Sequence, residues 1–275
     1  MTTVRRERQV RTAVAALLTV PFIIPFLMLI STAVRERDDF ASAPGGLPAS
    51  FTFQNIVNAW TEADLADGLR SSLITCVVAC VVCCTTALAG AFWFRIHQGR
   101  VVGAMRWVLV AGYAVPTIAW LIPVLVILAQ HDLTNNLVVL GIVNGVTSLP
   151  FALYLMHTFF NQVLSAELLE AATLDGAGIL RTFGRIAVPL SLPALASTIA
   201  LVFVWTFGDL IIAVTLLQDT SVQTMTLATA SLSTREDLNI QGQAAASLVA
   251  LVPMLLVFVG AQKALAKGFG GGSGK

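Results

Sequence analysis

Residues 161–189 read NQVLSAELLEAATLDGAGILRTFGRIAVP, a polar interval between two long apolar runs. Ser165 is of the type that caps a helix by accepting backbone N–H bonds, and Glu167 in the first turn suits the positive end of the helix dipole. Residues 167–172 are strong helix formers, whereas Gly176 and Gly178 supply the freedom to end that helix and turn. Arg181 and Arg185 hold the next segment at a polar surface, and Pro189 is suited to start a new helix. The segment therefore predicts a short, stiff helical knob whose Ala171 and Ala172 let another surface approach the backbone closely.

The flanks set the environment of that knob. Of the 275 residues, 57% are hydrophobic and 11% are charged. Soluble domains carry about 25% charge, so lipid is the solvent that fits this composition. Six stretches are apolar for about 20 residues or more, the length that crosses a hydrocarbon core of about 30 Å. They lie at 12–34, 71–94, 105–130, 136–160, 189–217 and 243–265. Pro21, Pro25, Pro116, Pro123, Pro150, Pro193 and Pro253 fall inside them as bend candidates. An N-terminus placed in the cytoplasm puts 12 of the 16 basic residues inside, Arg95, Arg106, Arg181 and Arg185 among them. The outer segments keep Arg35, Arg37, Arg70 and Arg235. That bias predicts both termini and the 161–188 loop on the cytoplasmic side. Arg5, Arg6, Arg8 and Arg11 before an apolar run also suit a secretory signal ending near Ser31-Thr32-Ala33. The run exceeds the usual signal core, and its loss would upset the charge pattern, so we read a retained first helix.

Glu170-Ala171-Ala172, Gly176, Ile186, Val188 and Pro189 follow the spacing E-A-A-x3-G-x9-I-x-L-P, with Val188 where Leu is usual. This resembles the EAA loop of bacterial ABC-importer permeases. Asn135-Asn136, residues 155–160 and residues 205–217 are similar, more loosely, to permeases of the carbohydrate-uptake, maltose/trehalose type. The resemblance implies an all-α polytopic membrane protein, with six transmembrane helices and a cytoplasmic coupling helix in the type I ABC-importer permease fold. It implies one transmembrane domain over 1–275 in the bacterial plasma membrane, surrounded by lipid. It further implies a non-catalytic subunit that pairs with a second homologous permease, two ATPase subunits and an extracytoplasmic binding protein or lipoprotein, with no nucleic acid. ATP and Mg would be used by the ATPases, and no cofactor or metal would be bound by this chain. Glu170, Ala171, Ala172, Asp175 and Gly176 inherit the ATPase-coupling role, with Glu170 the charged contact. The implied cargo is a sugar or oligosaccharide. A glycerol phosphate derivative is the alternative solute, and an ATP-independent secondary carrier the alternative class.

Asp209 is the one acidic residue well inside an apolar run, where a carboxylate must face a cavity or a partner helix. We take Asp209, Trp205, Trp120 and Asn144 as substrate-pathway candidates. The run Trp205-Thr206-Phe207-Gly208-Asp209 stands where sugar permeases often carry Trp-Asn-Glu. Pairing with a neighbouring helix, or a place nearer the outer surface, is the alternative for Asp209. Cys76, Cys80, Cys83 and Cys84 share one stripe of a single helix, a geometry that cannot surround zinc tetrahedrally, so we read them as packing. His97, His131 and His157 are scattered without metal or catalytic spacing. The outer segment 35–70 is either a docking surface or a plain connector, and 218–242, rich in Thr, Ser and Gln, is a candidate outer rim. Residues 268–275 end in Gly274-Lys275, but Phe269 occupies the place of the first phosphate-loop glycine, and a flexible tail is expected.

Overall fold

The computed structural model describes residues 2–46, 48–97, 99–232 and 239–270, and among them every regular element is helical. Among the described residues, four helices are long and apolar enough to cross a membrane: Leu65–Ile96, Leu137–Val163, Ile179–Phe207 and Ile240–Lys263. Leu17–Ala33 and Thr117–Gln130 are shorter apolar helices. Each of these segments overlaps one of the six apolar runs of the sequence, but Thr117–Gln130 covers only the second half of 105–130, and Ile179–Phe207 starts and ends ten residues before 189–217.

Spatially the chain gathers into two compact units. One comprises Met1–Ala66 with Ala228–Val252, the other Asp67–Leu227 with Pro253–Lys275. In the first, helix α1 (Thr2–Ala33) is followed by the short helices α2 (Arg37–Ser42) and α3 (Gln54–Glu62). The turn between them is built on Arg35, only 1% exposed. Its guanidinium meets both Asp39 carboxylate oxygens at 2.9 and 3.0 Å and donates to the carbonyls of Asp39, Ala43 and Gly46. Asp39 also accepts the Ala49 and Ser50 amides, and the Arg35 hydrogen bond holds its carboxyl well below the usual range. Arg35 and Asp39 thus tie residues 35–46 to Ala49 and Ser50 in one hydrogen-bonded turn.

In the second unit, α4 (Leu65–Ile96), α5 (Arg100–Tyr113), α6 (Thr117–Gln130), α7 (Leu137–Val163) and α10 (Val188–Phe207) supply the long rods. Small residues let them close up. A Cβ at Gly141 would lie 2.6 Å from Val78 Cβ, and one at Gly145 would lie 2.9 Å from the Ala79 carbonyl, so α7 rests its backbone on α4. Phe92, Phe160 and Phe183 fill the core at the other end, with ring centroids 5.2 and 6.3 Å apart.

Two expected spans are interrupted. The run 105–130 is two 14-residue helices, each about 21 Å long. Pro116 has no N–H and pushes Val115 out of the helical region, and the chain bends there. The run 189–217 stops at Phe207 and resumes as α11 (Ile211–Leu216). Within 218–242 lies a helix, α12 (Met225–Ser231), and α13 (Ile240–Gly270) carries the last apolar run. Residues 268–270 belong to α13 instead of a tail, while 271–275 lie outside the described residues, as does Arg235.

Candidate functional site

The polar interval after α7 folds as α8 (Ala166–Leu174), then α9 (Ile179–Thr182), a π turn (Phe183–Ala187) and α10. Pro189 cannot donate to the α ladder, and the register slips so that the Val188 N–H reaches the Phe183 carbonyl. Ser165 caps α8, its Oγ accepting the Leu168 N–H at 3.2 Å. That hydroxyl also bonds the Glu167 carboxylate and holds it below its ordinary pKa. The other end closes on glycine: Gly176 has φ +72°, its N–H meets the Thr173 carbonyl at 3.0 Å, and the Ala177 N–H meets Ala172 at 2.9 Å. This pair of bonds is the Schellman end, which requires a left-handed residue at the position Gly176 occupies. The glycine of the EAA pattern is therefore a helix stop.

Glu170, Ala171, Asp175 and Gly176 are all exposed on this knob. Ala172 is not: at 6% exposure it faces its own chain, so its small side chain serves internal packing and not the open face. Sequence reasoning missed Leu174 and Leu180, which stand 88% and 85% exposed beside the knob. Ile179 is also exposed, at 61%, and nothing in the sequence separates these side chains from Leu164, Leu168 and Leu169 of the same loop, which are buried or half-buried. A cleft of about 780 Å³ lies between α8 and the end of α4, lined by Arg95, His97, Leu169 and Glu170 among others. Arg95, read from sequence only as a topology charge, donates from Nη2 to the Leu164 carbonyl just ahead of the Ser165 cap.

The second constellation lies at the break after α10. Asp209 is half-buried, not mid-helix, and its carboxylate oxygens accept the Ile212 and Ala213 N–H groups at 3.2 and 3.1 Å. It opens α11, whose first-turn N–H groups have no carbonyl behind them within the helix and need another acceptor. Asn144, 5% exposed on α7, donates from Nδ2 to the Leu140 carbonyl at 3.2 Å and lines the same pocket as that carboxylate. Asp209, Asn144 and Trp205 line one pocket of about 260 Å³ with Thr147 and Ser148. Trp120 lines an adjoining pocket of about 370 Å³, which shares Thr117 and Thr147 with the first. Among the described residues, neither pocket is lined by a lysine or arginine. Three of the four pathway candidates thus share a pocket, and the fourth is next door. Trp205 stands edge-on to Phe151 at 5.0 Å and remains 40% exposed.

The remaining polar residues hold elements in place. Asn136 caps α7 through Val138 and Val139, and Asn135 Oδ1 accepts the Gln218 and Asp219 amides at 2.6 and 2.9 Å. Cys76 and Cys80 direct Sγ–H toward the Phe203 and Ile199 carbonyls of α10. His157 Nε2 is the acceptor for Arg106 at 3.0 Å and Asn161 at 3.2 Å, which fastens α5 to α7. His97 stacks on Trp93, and His131 ends α6.

A sequence profile of the family described as "Binding-protein-dependent transport system inner membrane component" matches residues 84–270. The melibiose/raffinose/stachyose import permease protein MelC of Bacillus subtilis (strain 168) is 27% identical over 272 residues, 98% of each chain. The diacetylchitobiose uptake system permease protein NgcG of Streptomyces coelicolor is 27% identical over 264 residues, 95% of this chain and 87% of that one. A chain from the crystal structure of a bacterial ABC transporter involved in import of the acidic polysaccharide alginate superposes with a TM-score of 0.77. That alignment covers 94% of this chain and 96% of the other at 18% identity, a likeness of fold.

Proposed function

Because this chain belongs to the family of binding-protein-dependent transport system inner membrane components, a multi-pass, non-catalytic permease subunit, we propose that it imports a neutral sugar or oligosaccharide by ATP-driven alternating access. The observation that carries the coupling half of this reading is α8: a helix capped at both ends, exposing Glu170, Ala171 and Leu174 between two apolar rods. A rigid element of this kind transmits displacement, where a slack loop would absorb it. A second homologous permease completes the pathway, and an extracytoplasmic binding protein delivers the solute. Two ATPase subunits dock on the 161–188 loops. Their closure on ATP favours the outward-open state, and hydrolysis resets it. ATP and Mg belong to those subunits. The knob and both termini face the cytoplasm, and 1–275 acts as one transmembrane domain.

The sugar assignment is supported by the names of the relatives and by the chemistry of the 209 pocket. Amide, hydroxyl and carboxylate groups beside a tryptophan suit hydroxyl-rich solutes, and the missing basic residues disfavour a glycerol phosphate. A secondary carrier has little to work with, since Asp209 is already engaged by two backbone amides. The test is reconstitution of the complete transporter in proteoliposomes with labelled melibiose, raffinose or diacetylchitobiose. Uptake that depends on ATP and on the binding protein is expected, and the double variant Glu170→Ala, Gly176→Asp should lose both uptake and ATPase capture. Uptake driven by an ion gradient without ATP would sink the reading.

A further inference from the structure

The chain itself joins the knob to α7 and α10; side chains make a third connection. Arg95 sits in the last turn of α4 and bonds the Leu164 carbonyl, at the root of the knob. Its Nε is buried with no hydrogen-bond acceptor among the described residues. A buried N–H left unmet is costly, so the guanidinium is placed for that carbonyl and not for saturation of its own donors.

The rod behind Arg95 is stiff. α4 runs 32 residues without proline, whereas α1, α7, α10 and α13 each contain at least one. Proline is the principal cause of sharp helix kinks. From Arg95 to Ser72 the rod covers about 35 Å. At that far end Ser72 Oγ accepts the Met225 N–H at 2.8 Å, and the next residue, Thr226, donates its hydroxyl to the Asp209 carbonyl at 2.8 Å. A line of direct contacts therefore runs from the root of α8, through Arg95 and the length of α4, to the break that carries Asp209.

We propose that α4 is a transmission arm and Arg95 its joint, a positioning residue that makes motion of the ATPase-facing knob reach the Asp209 pocket. The proposal rests on the permease reading above. When α8 is displaced, Leu164 moves with it and draws the end of α4 through Arg95. α7 and α10 flex at Pro150 and Pro193, but α4 delivers the displacement to Ser72 and so to the strand of chain that holds the Asp209 carbonyl. Rigid elements joined by packed side chains and hydrogen bonds are among the routes by which coupling between distant sites travels.

The experiment uses the complete transporter in proteoliposomes, with uptake and ATP hydrolysis measured in the same vesicles. Arg95→Met is expected to raise the ATP consumed per solute imported about threefold or more, with the ATPases still co-purifying. Arg95→Lys, which keeps one cationic donor, should recover part of the loss. Ser72→Ala should shift the ratio in the same direction from the opposite end of α4. The proposal is overturned if uptake and hydrolysis stay unchanged, or fall in parallel, in both Arg95→Met and Ser72→Ala. If Arg95→Met does not assemble, Ser72→Ala alone decides. Absence of ATP-driven uptake in the wild-type complex would instead strike the permease reading, so the two failures are distinguishable.

Discussion

The knob at 165–178 and the break at 208–211 use the same local device and face opposite ways. In each, an oxygen-bearing side chain accepts the first free N–H groups of a short helix, Ser165 for α8 and Asp209 for α11. Around Ser165 the knob keeps an open face, with Glu170 and Ala171 exposed and Leu174 and Leu180 almost fully so, although Ala172 turns inward. Around Asp209 the cap is wrapped by Asn144, Trp205 and Ser148. A cap is thus a backbone necessity at both places. Whether it lies on an open surface or lines a pocket depends on what is packed beside it.

The contrast can be broken first at Gly176. Gly176→Val puts a β-branched residue at φ +72°, at a cost of about 1–2 kcal/mol, and should unseat the end of α8 and abolish most ATP-driven uptake. Gly176→Asn, which tolerates the left-handed region, should retain most of it. Equal loss in both variants would mean that the backbone turn is not what matters.

At the break, capping and solute contact separate by substitution. Asp209→Ala removes the cap, about 1 kcal/mol, and should lower both thermal stability and uptake. Asp209→Asn keeps a capping oxygen but not the charge, so a role in holding solute predicts a KM for uptake about tenfold higher with stability preserved. A wild-type KM in Asp209→Asn would leave the residue as a cap alone.

Neighbouring alanines on the knob sharpen the inside–outside distinction. Ala172→Leu should overpack a buried position and destabilise by about 1–3 kcal/mol in thermal unfolding, whereas the exposed Ala171→Leu should leave unfolding unchanged and weaken ATPase capture. Reversal of that order would overturn the assigned facing of α8.

The smallest expected effect is electrostatic. Glu167 has a lowered pKa in the folded chain, chiefly through Ser165. Its contribution is therefore complete above the ordinary glutamate value, about 4.3, and is lost as pH falls through the lower folded value. Association with the ATPase, followed by co-purification, should owe no pH dependence to Glu167 between pH 7 and 5. Any decline attributable to it should appear only below that range and vanish in Glu167→Gln.

Much of the candidate site is legible along the chain because its physics is short-ranged. The Ser165 cap and the Gly176 stop depend on residues within a few positions of one another, and the structure carries both, whereas the apolar runs 105–130 and 189–217 are each broken. The inward turn of Ala172 is different, since Ala171 and Ala172 are indistinguishable until one knows which side of α8 meets the core. The split of 105–130 into two helices falls at Pro116, yet Pro150 and Pro193 lie inside unbroken helices, so proline alone does not mark a break.

Sequence by itself determined that this is a lipid-embedded helical protein with a capped knob between its fourth and fifth apolar runs. Composition fixes the solvent, and nearest-turn hydrogen bonding fixes the caps. Tertiary structure alone decided that Arg95 grips Leu164 across 69 positions, that Asp209 shares a pocket with Asn144, and that Ser72 holds Met225. Those placements depend on how rods are rotated and staggered against one another. That is settled by close packing at residues such as Gly141 and Gly145, over distances that no local pattern encodes.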